Sequence, residues 1–188
     1  MTTRGQRHID HFFVLTGGPG AGKTTTLLEL HRRGFMYMPE VARKIIREQA
    51  DTGGNALPWG DMTAYRDMMW HRSAAVFDEA LARCEKQTVF FDRGLPDTLA
   101  YSILENIPVP DKFSRQLGDY RYNTEVFLFP PWKAIYGTDT ERKQDFDLAV
   151  KTYGVIEDTY VRSGYKTVKV PETSPEQRAI FILNHLNL

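Results

Sequence analysis

The chain has 188 residues and is 41% hydrophobic, enough to bury one substantial core, so residues 1–188 are expected to form a single domain. Lys plus Arg and Asp plus Glu each total 24. The basic excess typical of duplex binders is therefore missing, and nucleic acid is not the expected partner. One cysteine, Cys84, excludes an intrachain disulfide and a cysteine-rich zinc site, and no apolar run approaches membrane-spanning length. The N-terminal stretch from Met1 to His8 lacks the apolar core of a signal peptide, so a cytoplasmic location is expected by elimination. Oligomeric state leaves no mark on the sequence.

The first expected strand is Phe12-Phe13-Val14-Leu15, aromatic and β-branched as a buried strand requires. It runs into Gly17-Gly18-Pro19-Gly20-Ala21-Gly22-Lys23-Thr24, which fits G-x-x-x-x-G-K-[ST], the loop that wraps the phosphates of a nucleotide. Glycines let successive backbone N–H groups turn toward an anion, the following helix presents its positive end, and Lys23 adds a mobile cation. Gly17, Gly18, Gly20, Ala21, Gly22, Lys23, Thr24 and Thr25 are thus the expected nucleotide-binding residues, and the Thr24 hydroxyl is an expected Mg²⁺ ligand. A plain structural turn is the rival reading, disfavoured by the strand before and the helix after. No Asn-Lys-x-Asp signature of guanine specificity is present, which tilts the choice between ATP and GTP toward ATP.

A helix from Thr24 to Arg33 is expected to end at Gly34 in a left-handed cap. The strand Phe35 to Met38 leads through Pro39-Glu40-Val41 into a helix containing Ala42, Ile45 and Ile46; residues 53–60 read as loop. A long helix follows, with Met62, Tyr65, Met69, Val76 and Ala80 on one stripe, ending near Cys84. Thr88 to Phe91 is an apolar strand stopping abruptly at Asp92-Arg93-Gly94. If this strand lies beside the first, Asp92 reaches the Mg²⁺ shell near Thr24 and Arg93 can meet a phosphate. The alternative is that Asp92 caps the next helix and Arg93 is solvated.

That helix spans Leu95 to Leu104, and another is expected over Asp111 to Tyr120. Thr124 to Phe129 reads as a strand stopped by Pro130-Pro131, Trp132 to Thr140 as irregular, and the stretch with Phe146, Ala149, Val150, Tyr153 and Tyr160 as a helix. Tyr165 to Val170 completes the sheet, and Ser174-Pro175-Glu176-Gln177 opens the last helix with a capping box. Alternating strands and helices predict a parallel sheet covered by helices on both faces.

Gly17 to Thr24, Pro39-Glu40-Val41-Ala42-Arg43, Phe91-Asp92-Arg93-Gly94 and the stretch from Gly164 to Pro171 together resemble the small AAA-type ATPase domains related to ribosylnicotinamide kinase, over nearly the whole chain. More distantly, the order of motifs is similar to deoxynucleoside kinases and thymidylate kinase. The resemblance implies an α/β P-loop NTPase fold: a three-layer sandwich around a mostly parallel five-stranded sheet. It also implies Glu40 as the base toward an acceptor hydroxyl, Asp92 as the acid after the third strand and Arg93 as a phosphate-contacting arginine. The chain departs from many deoxynucleoside kinases in having Asp92-Arg93-Gly94 where they have Glu-Arg-Ser, and a lid is only partly recognisable in the stretch Thr138 to Lys143.

Phosphoryl transfer needs positioning and charge neutralisation, so few groups suffice. The expected catalytic set is Lys23, Glu40, Asp92, Arg93 and lid residue Arg142, with ATP and Mg²⁺ (Thr24, Asp92) as cofactors and a small-molecule acceptor as partner. Two bland readings compete: Glu40 and Arg43 as a surface pair at a helix start, and Arg142 as a solvated loop charge. Trp59, Tyr65, Met69, Trp70, Arg72 and Tyr101 are candidates to face the acceptor; core packing is favoured for Met69 and Val76, and a pocket role for the loop residue Trp59. The five histidines show no metal-ligand spacing. Two functions stay open: an ATP-dependent kinase of a nucleoside, nucleotide or similar polar metabolite, or a regulatory nucleotide switch with a protein or lipid partner.

Overall fold

The computed structural model describes residues 8–84, 86–136 and 146–188. Five strands, β1 (Phe12–Gly17), β2 (Met36–Met38), β3 (Val89–Asp92), β4 (Glu125–Phe129) and β5 (Lys166–Lys169), form one sheet in the order β2-β3-β1-β4-β5. Every pairing is parallel. The first chain reversal carries β2 to the far side of β3, so the strand order turns back between β1 and β4. In open sheets of this kind the crevice beyond the carboxyl ends at such a switch is where ligands bind.

Alternation along the strands assigns the two faces. Phe12 and Val14, Val89 and Phe91, and Val126 and Leu128 point to one side, where they meet Trp70, Phe77, Leu95, Ala100, Phe113, Ile156 and Tyr160. Those residues come from α3 (Met62–Arg83), α4 (Leu95–Leu104), α5 (Asp111–Gln116) and α6 (Phe146–Arg162). Phe13, Leu15, Phe90, Phe127 and Phe129 point to the other side, against Leu27 and Leu30 of α1 (Lys23–Arg32) and Ala179, Ile182 and Leu183 of α7 (Pro175–Leu186). With apolar side chains on both faces, the inner strands have no solvent side, which is why they read as continuous apolar runs.

A satellite cluster of Ile45, Ala56, Tyr65 and Met69 joins α2 (Val41–Thr52) to the first half of α3. Ile45 is the fully buried residue of α2, so this helix is held mainly along one line. Local signals place most boundaries: Gly34 is left-handed after α1, the Asp61 carboxylate caps α3 at Ala64, and the Ser174 hydroxyl accepts from Gln177 N at the start of α7. The helix expected over Asp111 to Tyr120 is shorter, since α5 tightens into a 3₁₀ turn over Leu117–Asp119.

Candidate active site

Three parallel neighbours, β2, β3 and β1, deliver their carboxyl ends to one edge. Met38 is opposite Phe91, and Leu15 is opposite Asp92, so residues that follow these strands converge although the sequence separates them widely. The loop after β1 carries the phosphate-binding motif. Gly17 has φ +132° and a Cβ there would overlap the Phe129 carbonyl oxygen; Gly22, before α1, has φ +83°. Only glycine satisfies both the tight approach and the left-handed turn. Gly22 offers no side-chain cap, which leaves the first amides of α1 to meet an anion.

Lys23 is 6% exposed and its ammonium donates to the Gly17 and Gly18 carbonyls at 3.1 and 2.9 Å. Burial, with Arg93 adding repulsion, pulls Lys23 down to about 8 against the opposing pull of Asp92, Glu40 and Asp97. The Thr24 hydroxyl donates to Asp92 Oδ2 at 3.1 Å. Asp92 Oδ1 is buried with no hydrogen-bond partner among the described residues. Burial and the nearby Glu40 carboxylate push Asp92 up to about 6. Thr24 with a partly unsatisfied carboxylate is a hard-oxygen donor set suited to Mg²⁺ that arrives on a nucleotide's phosphates. Among the described residues no group of three or more His, Cys, Asp or Glu could hold a metal without such help.

Glu40 follows β2 through Pro39 and stands at the N-terminus of α2. Its Oε1 accepts from Arg93 Nε at 2.9 Å, and its Oε2 from Arg43 Nε at 2.9 Å. The expected Glu40–Arg43 pair at the helix start does form, but the Glu40 side chain is only 15% exposed and is also bridged to Arg93, just beyond β3. Burial alone would raise Glu40; Arg93, Lys23 and Arg43 outweigh it and hold the carboxyl at about 2. Arg93 sits at φ +73°, a left-handed conformation that costs a non-glycine residue on the order of 1 kcal/mol. Its guanidinium also donates to Asp97 Oδ1 at 2.8 Å. Burial works against its charge, but Glu40, Asp97 and Asp92 raise its pKa further.

Asp97 is the residue that motif reading missed. It accepts from the Thr16 hydroxyl at 2.6 Å, from Gly94 N at 2.9 Å and from the Tyr160 hydroxyl at 2.6 Å, besides Arg93. One carboxylate thereby ties β1, the turn after β3, α4 and α6 together behind Arg93. A second unforeseen residue is Arg178 of α7, 1% exposed, which donates to the Ala21 carbonyl at 2.8 Å and packs over the rings of Phe129 and Trp132. It braces the phosphate loop from behind. The Gly94-x-x-Asp97 spacing is a helix-start signal that could have singled out Asp97; nothing local marks Arg178. Thr25 turns its hydroxyl back to Gly22 O at 2.8 Å, and Arg142 lies outside the described residues.

Beside these groups opens a cavity of about 430 Å³, lined by Glu40, Arg43, Asp92, Arg93 and Asp97 and by further, mostly apolar residues of α2, α3, α4 and α6, together with Glu105 and the hydroxyls of Ser73, Thr98 and Thr152. Of the aromatic candidates, Trp59, Tyr65 and Tyr101 line it, as does Met69. Trp70 does not: it stacks on Phe113 with ring centroids 4.2 Å apart and is 1% exposed. Arg72 is ion-paired with Glu48. Val76 packs against the main core and also reaches the cavity wall.

A family model described as an AAA domain matches residues 12–178. No curated protein matches the chain. Solved structures do: deoxyadenosine kinase from M. mycoides with bound dATP is 15% identical with a TM-score of 0.55, covering 94% of this chain and 99% of that one. Shikimate kinase from Acinetobacter baumannii in complex with shikimate is 17% identical with a TM-score of 0.56, covering 96% and 94%. Thymidylate kinase from Ehrlichia chaffeensis is 16% identical with a TM-score of 0.54, covering 94% and 98%. At such identities the likeness shows a shared fold, the five-stranded parallel α/β sandwich of P-loop kinases.

Proposed function

The chain belongs to this AAA-domain family, and from that premise we propose that it is an ATP-dependent kinase transferring the γ-phosphate to a hydroxyl of a nucleoside, nucleotide or similar small polar metabolite. The observation that carries the reading is the placement of Glu40, Asp92 and Arg93 at one end of a cavity that opens beside the phosphate loop. A nucleotide switch needs the loop and the metal donors, but not an acceptor-sized chamber ending in a charged triad. The sequence resemblance to AAA-type domains related to ribosylnicotinamide kinase adds nicotinamide riboside to the acceptors worth screening.

In this reading Lys23 and the loop amides hold the β- and γ-phosphates, while Thr24 and Asp92 hold Mg²⁺. Bound Mg²⁺ supplies charge neutralisation on the phosphates. Glu40 fixes the acceptor hydroxyl. A carboxylate held at about 2 is a weak base, which suits a loose transition state in which the proton leaves late and orientation matters more than deprotonation. Arg93, clamped by Glu40 and Asp97, presents a fixed cation to the transferring group. Arg142 of the lid joins Arg93 in this proposal.

The test is a metabolite panel with γ-labelled ATP, comparing wild type with Lys23→Ala and Glu40→Gln. Lys23-dependent label transfer is expected, with Glu40→Gln lowering kcat about 10²–10⁴-fold while the KM for ATP stays within about twofold. Full transfer by Glu40→Gln would sink the role of Glu40. Hydrolysis without transfer to any compound would favour the switch.

A further inference from the structure

Resting on the phosphotransfer reading but departing from its polar acceptor class, we infer that the acceptor is an alcohol without anionic groups whose body is largely apolar, rather than a nucleotide, a sugar acid or a nucleoside read through its base. The charges on the cavity wall are the first support. Among the described lining residues Arg43 and Arg93 are the cations, against Glu40, Asp92, Asp97 and Glu105. Both guanidiniums are committed: Arg93 to Glu40 and Asp97, Arg43 to Glu40. Among the described lining residues, a phosphate or carboxylate on the acceptor would meet excess negative charge, with both cations already ion-paired.

The second support is the distribution of polar groups. No Asn, Gln, His or Lys lines the cavity among the described residues, so the bidentate amide contacts that read a base edge have no source there. Besides the charged groups beside the phosphate loop, the polar lining includes the hydroxyls of Ser73, Thr98, Thr152, Tyr65 and Tyr101 and the carboxylate of Glu105. The remaining wall is formed by side chains such as Met38, Val41, Ile46, Met69, Val76 and Ile156. An exposed apolar residue, Trp59 at 63%, stands among the lining residues. The scattered hydroxyls can meet one or two polar groups of an acceptor, but a body dense in ring nitrogens and amides would leave most of those groups unpaired, whereas an aromatic or aliphatic body fills the predominantly apolar wall while its hydroxyl reaches Glu40. In the reaction the alcohol oxygen forms a bond to the γ-phosphorus as the bond from that phosphorus to the β–γ bridging oxygen breaks. ADP leaves with the electron pair, and the hydroxyl proton passes to Glu40 or solvent.

The experiment compares 3-phenylpropan-1-ol and tyrosol with thymidine, adenosine, dTMP and shikimate. It uses γ-labelled Mg-ATP for transfer and calorimetry with a non-hydrolysable ATP analogue for binding. The apolar alcohols are expected to exceed the nucleosides in kcat/KM by about tenfold or more and the two anionic acceptors by about a hundredfold. Trp59→Ala, a loop substitution with little folding risk, should raise the KM of the alcohols about tenfold. Glu105→Lys should narrow the gap to dTMP and shikimate. A preference for nucleosides or anionic acceptors would overturn this inference and leave the kinase reading standing. Alcohol binding that Trp59→Ala weakens, with no transfer to any compound, would overturn the kinase reading and support the assignment of the cavity. Neither binding nor transfer of the alcohols would overturn the inference outright.

Discussion

At the scale of single residues, Lys23 shows a conflict between folding and function. Burial of its ammonium pulls it from 10.5 to about 8, a drop worth about 3 kcal/mol against the charged form. Part of that cost is offset by its hydrogen bonds to Gly17 and Gly18. Lys23→Met is therefore expected to abolish nucleotide binding while raising the stability of the nucleotide-free protein by about 1–3 kcal/mol at pH 7, measured by urea unfolding. Because the folded value lies below the unfolded one, wild type gains stability as pH rises from 8 to 10.5, and the gap between the two proteins closes over that window. The affinity of wild type for nucleotide moves the other way and declines above pH 8 as the cation is lost. A stability gap independent of pH would show that Lys23 is not the source. The residues of this site divide by how far apart their partners lie. Lys23, Glu40 and Asp92-Arg93 announce themselves in contiguous motifs, whereas Asp97 with Tyr160 spans 63 positions and Arg178 with Ala21 spans 157.

Among the elements, α2 stands apart from the helices packed on the sheet. It buries Ile45 alone completely and joins α3 through a small cluster, while α1 seals Thr26, Leu27 and Leu30 against the sheet. Less buried apolar area means a lower free energy of local opening. In native-state hydrogen exchange the amides of α2 should open at about 2–3 kcal/mol below those of β1 and β4, and a bound acceptor should narrow the difference, since Val41, Ala42 and Ile46 line the cavity. Uniform protection across α2, β1 and β4 would contradict it. The motifs made the boundaries of α1, α4 and α7 readable, because glycine, proline and serine set caps by local geometry. The extent of α5 was not readable, since the 3₁₀ tightening after Gln116 is set where Leu117 meets the main core.

For the whole molecule, a nucleotide that binds only the folded chain must raise its stability. At a hundredfold excess over Kd, Mg-ATP is expected to contribute about 2.7 kcal/mol and shift Tm by about 5–10 °C in a domain of this size; Lys23→Ala should remove the shift, and an undiminished shift would place nucleotide binding elsewhere. No helix among the described residues is long and apolar enough to cross a membrane. The sequence by itself determined the alternation of strands and helices, the parallel sheet and the phosphate loop, because strand period, caps and the glycine motif are written in neighbouring residues. Only the tertiary structure decided that Glu40 bonds Arg93 and not Arg43 alone, that Asp97 locks Arg93 in place, and that a cavity lined mostly by apolar side chains opens beside them. Those facts depend on strand order and on which helix faces meet, and both are fixed by the burial of the whole core at once.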